Sequence, residues 1–136
     1  MKIKLDPGAF APERAHATDA GLDLRSPYYC VVPAHDSRTI NTGVHVELPR
    51  GTVGMLKSKS GLNVKHGIVS EGVIDQGYTG AIQVKLYNHS DTDYMVDVGD
   101  KITQLVVIEC LFPDVEIVEE LEDTDRGDAG FGSTGK

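Results

Sequence analysis

Asp75 and Tyr78 stand three residues apart in the stretch GVIDQGYTGAIQVKLYN, Gly72 to Asn88. A carboxylate fixed on a turn can take a proton from water, and a phenol ring beside it offers a flat floor for a small planar ligand. An aspartate beside glycine is also a common turn former, because its carboxylate bonds nearby amides. The turn alone leaves both readings open. A second candidate is KSKSGLNVKHG, Lys57 to Gly67, basic and hydroxyl-rich in a chain of formal net charge -8. Taken alone it reads as a solvated loop or a helical turn opened by Ser60; the sharper reading is an anion site where Lys59, the Ser60 hydroxyl and amides near Gly61 converge on a phosphate. The third is the chain end, RGDAGFGSTGK from Arg126 to Lys136. Most chain ends are plain tails, but a lone Phe131 among glycines and hydroxyls suits a segment that orders over a ligand, with its ring on a base and Arg126 on phosphates. Finally, Asp23 lies between Leu22 and Leu24, a spacing that turns it away from the core in an extended segment.

These residues need elements to position them. Val73 and Ile74 run into Asp75, and Ala81 to Asn88 alternates Ile82, Val84 and Leu86 with Gln83, Lys85 and Tyr87, the period of a strand with one wet face. Gly77 and Gly80 are expected to take the positive backbone angles of a tight reversal, giving a hairpin with Asp75 and Tyr78 at its tip. Further strands are expected at Lys2 to Leu5, Tyr28 to Val32, Ser37 to Leu48 with a bulge at Gly43, Gly51 to Leu56 and Tyr94 to Val98. Ile102 to Phe112 is apolar on both alternating faces, which belongs at the centre of a β structure or against another subunit. No amphipathic helix of three or more turns is legible. The pattern is that of an all-β barrel or sandwich. At Glu119 the composition shifts: residues 119–128 carry six acidic side chains and one Arg, the mark of an extended linker. The chain thus divides into a β domain, residues 1–118, and a linker with a Gly-rich arm, residues 119–136.

Bulk properties exclude several classes. A chain of 136 residues, 40% hydrophobic and 25% charged, fits one ordinary globular domain. The acidic balance disfavours an extended surface for a nucleic acid polymer, so a phosphate-bearing partner has to be small and locally held. Neither a membrane-length apolar run nor the apolar core of a signal peptide is present, which places the expected protein in the cytoplasm. Cys30 and Cys110 sit in apolar runs and are expected as buried thiols. Gly130 to Lys136 mimics a phosphate-binding loop but lacks the following Ser or Thr, helix and preceding strand. The five histidines are scattered without zinc-ligand spacing.

Taken in order, AGLDL (Ala20 to Leu24), SKSGL (Ser58 to Leu62), GVIDQGYTG (Gly72 to Gly80), GDKITQL (Gly99 to Leu105) and RGDAGFGSTG (Arg126 to Gly135) closely resemble the five motifs of the homotrimeric dUTPase family across nearly the whole chain. The resemblance implies a jelly-roll-like β fold, and a homotrimer with active sites at subunit interfaces closed by a flexible C-terminal arm. It also implies hydrolysis of dUTP to dUMP and pyrophosphate, which limits uracil incorporation into DNA, and Mg²⁺ bound mainly through phosphates and water. Asp75 is then the base that activates the attacking water, and Tyr78 the ring under the deoxyribose. Backbone groups about Val73, Ile74 and Gln83 pair with the uracil edge. Lys59, Ser60, Gly61 and Gln104 hold phosphates, Asp23 bonds metal-bound water, and Asp100 supports the phosphate loop by pairing with Lys59. Arg126 meets the terminal phosphates, Phe131 stacks on uracil, and Gly132, Ser133 and Thr134 close over the triphosphate.

Some positions depart from the family pattern. Lys59 stands where Arg is usual, losing a two-pronged phosphate contact, while Gly77, Thr79 and Ala129 replace more usual residues at the surface. Two competing functions remain distinct in chemistry: a dCTP deaminase of related fold, which would release ammonia, and a regulatory module whose protein partner is switched by nucleotide.

Overall fold

The computed structural model describes residues 1–127. Among them lie ten strands and one short helix: β1 (Lys2–Leu5), β2 (Gly21–Arg25), β3 (Cys30–Val32), β4 (Ser37–Asn41), β5 (Val44–Glu47), β6 (Thr52–Lys57), α1 (Ser60–His66), β7 (Ile68–Ile74), β8 (Gln83–Asn88), β9 (Tyr94–Val96) and β10 (Lys101–Glu109). Six strands form one sheet in the order β2-β10-β6-β7-β8-β4, with β1-β5 and β3-β9 as two-stranded ribbons. All the named strand pairings are antiparallel. The result is the expected all-β, jelly-roll-like architecture. No helix among the described residues is long and apolar enough to cross a membrane.

One hydrophobic cluster gathers residues from all three sheets, including Leu24, Ile40, Val44, Leu56, Ile68, Val84, Leu86, Val96 and Leu105. Each such side chain contributes about 2 kcal/mol when fully removed from water. The alternation read in β8 is real: Val84, Leu86 and Asn88 are buried while Gln83, Lys85 and Tyr87 are exposed. Asn88 is admitted to the core because its amide donates to the Val32 and Thr92 carbonyls at 3.0 and 2.8 Å, leaving no orphaned polar group.

Several expectations are corrected. Gly43 is no bulge; it has φ 65° and lies in the two-residue break, 42–43, between β4 and β5. Cys30 and Cys110 are free but only half-buried. Strand β10 is central as expected, between β2 and β6, and Ile102 and Leu105 are buried. Its far half opens instead, with Ile108 48% exposed. Beyond it Leu111, Val115, Ile117 and Leu121 all stand in solvent, an apolar stretch that a single chain leaves uncovered.

The two ends of β6 and the candidate active site

The Asp75 turn forms where β7 changes partner. Ile68, Val69 and Ser70 pair with Asn88, Tyr87 and Leu86 of β8, whereas Glu71 to Ile74 pair with Lys57 to Gly54 of β6. The two strands of the hairpin therefore splay, and its tip is a wide loop, residues 75–82, rather than a tight reversal. Neither Gly77 nor Gly80 has positive φ. Gly80 is small for a different reason: a Cβ there would lie 2.5 Å from the Tyr78 hydroxyl. The Tyr78 N–H donates to the Asp75 carbonyl at 2.9 Å, and its hydroxyl donates to the Ala81 carbonyl at 3.0 Å. The loop so folded opens a cleft of about 230 Å³ lined by Val73, Ile74, Asp75, Tyr78 and Gln83. The structure thus gathers the whole set of hairpin residues singled out in the sequence.

The second group assembles by strand register. Gln104 of β10 lies opposite Asp23 of β2 on one side and Lys57 of β6 on the other, and Lys57 lies opposite Glu71 of β7. Directly paired residues share a face, so a polar row crosses four strands. Gly21 leaves room for the Gln104 side chain, which donates to the Ser58 carbonyl at 3.2 Å.

Asp23 points away from its neighbour Leu24 as expected, yet it is only 6% exposed, because lysines cover it. Lys59 bonds its Oδ1 and Lys101 its Oδ2, the latter at 2.7 Å. Burial pushes the Asp23 carboxyl upward, but the hydrogen bonds and charges of Lys101 and Lys59 together outweigh it and hold the group below the usual carboxylate range. Glu13 lies 3.7 Å from Lys101 and also pairs with Arg25, whose guanidinium lowers the Glu13 pKa. Two carboxylates thus face three cations, a small positive excess inside an acidic chain. Asp100 does not meet Lys59, the pair that the family resemblance implies; its carboxylate accepts the Asp97 N–H at 2.9 Å and closes the turn before β10.

The loop carrying Lys59 is anchored from below. Ser58 Oγ donates to the Ser70 carbonyl at 3.0 Å and accepts the Ser70 N–H at 2.9 Å, while Ser70 Oγ meets Thr103 Oγ1 at 2.8 Å. Thr103 in turn donates to the Lys57 carbonyl. The loop then enters α1, whose N-cap is Lys59 rather than Ser60 and whose end is closed by Gly67 at φ 66°. None of its residues is buried, and a Cβ on Gly61 would meet nothing within 4 Å. Gly61 thus answers to no packing demand of this chain and leaves its surface open to a ligand. Arg126 is exposed beyond β10; Phe131, Gly132, Ser133 and Thr134 lie outside the described residues. Sequence reading missed Lys101, Ser70 and Thr103. Lys101 was the more findable, as a cation inside GDKITQL.

The two groups lie at opposite ends of β6. Ile74, next to Asp75, pairs with Gly54, and Lys59 follows five residues further on, about 16 Å at the rise of a strand.

The chain is thus a jelly-roll-like domain with an aspartate-lined cleft at one end of a strand and a cationic, hydroxyl-lined loop at the other. The family model described as dUTPase matches residues 9–135, and the chain belongs to the dUTPase family. It is 45% identical to the deoxyuridine 5'-triphosphate nucleotidohydrolase of Clostridium acetobutylicum, over 99% of this chain and 96% of that protein. The Staphylococcus bacteriophage 80alpha dUTPase solved with dUPNHPP superposes with a TM-score of 0.92 at 33% identity, covering 99% of this chain and 98% of that one. A phage phi11 dUTPase from S. aureus, described as coordinating a structural Mg(II) ion, superposes with a TM-score of 0.80 at 32% identity, covering 90% of this chain and 98% of that one.

Proposed function

We propose that the chain is a dUTP diphosphatase, cleaving dUTP to dUMP and pyrophosphate with Asp75 as general base. The observation that carries this reading is the cleft itself: Asp75 and Tyr78 line one hollow with Val73, Ile74 and Gln83, which supports reading the carboxylate as the proton acceptor and the ring as the sugar's floor. The Asp75 carboxylate takes a proton from water, the oxygen attacks the α-phosphorus, and the bond from that phosphorus to its bridge oxygen breaks, releasing pyrophosphate. Chemistry of this kind needs positioning and charge neutralisation more than covalent help. Tyr78 packs under the deoxyribose and leaves no space for a 2′-hydroxyl, while backbone groups about Val73, Ile74 and Gln83 take the uracil edge.

Lys59, Ser60, Gly61 and Gln104 hold phosphates at the other end of β6. The two ends lie about 16 Å apart along the strand, a separation compatible with a base and a phosphate loop contributed to one site by different copies. A homotrimer with interfacial sites accounts for that arrangement, and the uncovered apolar residues of β10 and of the segment after it supply contact area. Residues 119–136 act as the arm, with Arg126 on terminal phosphates, Phe131 on uracil and Gly132, Ser133 and Thr134 over the triphosphate. Among the described residues no three His, Cys, Asp or Glu side chains converge on a metal position, and both Asp23 oxygens already face lysines. That set does not cage an ion, but it fits Mg²⁺ held by phosphates and water, with Asp23 accepting from a metal-bound water. When bound there, Mg²⁺ offsets phosphate charge.

Pyrophosphate release from dUTP, dCTP, dTTP and UTP, with and without Mg²⁺, tests the reading: dUTP alone should turn over rapidly. Ammonia release from dCTP would replace it with a deaminase.

A further inference from the structure

The tip loop, residues 75–82, carries the sugar-facing ring yet belongs to no strand, so its position depends on what reaches it from elsewhere. Gln76 Oε1 accepts the Gly51 N–H at 2.6 Å. Ile82 is held by backbone bonds with Val44 and Thr42 at 2.8 and 3.1 Å. Between these two, next to Tyr78, the Thr79 carbonyl lies 2.8 Å from Nδ1 of His45 in β5. The other nitrogen of the same ring, Nε2, lies 3.2 Å from Oδ1 of Asp6. Asp6 is itself fixed, its N–H donating to the Gly43 carbonyl at 2.9 Å.

A carbonyl and a carboxylate only accept hydrogen bonds. Both contacts can be hydrogen bonds at once only if both ring nitrogens carry hydrogen, which is the imidazolium form; neutral imidazole has a single N–H to give. The His45 side chain is 19% exposed, so water does not freely take over a lost bond. We propose that His45, oriented by Asp6, is a positioning residue for the Tyr78 loop, and that its protonation sets how firmly the loop is held. The proposal rests on reading Tyr78 as the sugar-facing ring.

The charged surroundings of His45 are few. Asp6, from the loop after β1, carries a carboxylate against the ring. Lys4 lies opposite His45 in the β1–β5 register. Lys2 and Glu47, one pair further along the ribbon, compensate each other at 2.9 Å. From the loop itself the group facing His45 is the neutral Thr79 carbonyl.

The test compares wild type, His45→Ala, His45→Asn and Asp6→Asn. Asn carries a neutral amide donor near the place of Nδ1 and no titratable charge. The readouts are kcat and KM for dUTP and UTP from about pH 5.5 to 8.5, the range over which histidine changes charge, with amide hydrogen exchange at residues 78–82 corrected for intrinsic rates. His45→Ala should raise the dUTP KM about three- to tenfold, the scale of one lost hydrogen bond, with kcat within about twofold. Its preference for dUTP over UTP should fall and the loop amides should exchange faster. His45→Asn should recover most of the KM and lose the pH dependence of the wild type, while Asp6→Asn, which removes the carboxylate that orients the ring, should weaken the tether and speed exchange at the loop amides. Wild-type KM, preference and exchange in His45→Ala would overturn the proposal, and so would an Asn variant as weak as Ala, which would mark a packing role. If the wild type releases no pyrophosphate from dUTP, the proposed activity fails separately. Exchange then decides on the tether: faster in His45→Ala supports it and unchanged overturns it.

Discussion

The two ends of β6 are built on different principles. At the Lys59 end, side chains are locked by charge and by buried hydroxyls: Asp23 between two lysines, and Ser58, Ser70 and Thr103 in one chain of hydrogen bonds. At the Asp75 end the functional residues ride on a loop, with Tyr78 42% exposed and the fold reaching them through a few tethers. The contrast matches the chemistry proposed for each end. Triphosphate oxygens need fixed donors in place before the nucleotide arrives, whereas a base and sugar must enter and leave a hollow that tolerates some motion.

The comparison can be broken in order of expected effect. Asp75→Asn should lower kcat by about two or more orders of magnitude, the typical loss of a general base, while the elution volume on gel filtration stays that of wild type. Mixing that variant with Lys59→Ala, each inactive alone, should restore activity if the two ends serve one site from different copies. Random mixing gives about a quarter of the sites an intact pair of ends in a symmetric assembly, and no recovery after co-refolding would mean that one chain builds its site alone. Tyr78→Ala should cut the preference for dUTP over UTP by about tenfold, within the range of steric discrimination in a pocket, read as the ratio of the two kcat/KM values. Lys101→Met should leave Asp23 with one partner and cost about 2 kcal/mol, the worth of a charged hydrogen bond, measured by urea denaturation.

The last of these has a pH signature. Asp23 has its folded pKa depressed, so its contribution to stability is complete above the ordinary carboxylate pKa and disappears as pH falls through the lowered value. Urea midpoints taken from pH 6 down to 3 should fall less steeply in Asp23→Asn than in wild type, and identical slopes would remove Asp23 as a source of acid sensitivity.

Much of this was legible because it is local. The alternation of Gln83 to Asn88 names its strand and its buried face without help, and the glycines around Asp75 announce a loop. The last strand, by contrast, ends at Glu109, ten residues before the acidic shift at Glu119. What was not legible depends on register. Lys59 and Asp23 are 36 residues apart and meet only because β10 lies between β2 and β6, so the Lys59–Asp100 pair that the family resemblance implies is not the one formed within this chain. Gly80 shows the same limit on a smaller scale. Its conformation is unexceptional, and the demand on it comes from a ring two residues back, which no propensity encodes.

The cluster of Glu13, Asp23, Arg25, Lys59 and Lys101 also bears on how fast nucleotide is captured. A net charge of -8 per chain repels a polyanion at long range, and the positive excess of these five side chains acts only over a few ångströms. Salt screens the distant repulsion over a Debye length of about 10 Å at 0.1 M, and close, partly buried attraction much less. Encounter with triphosphate should therefore quicken on moderate addition of salt, the reverse of what an electropositive funnel produces.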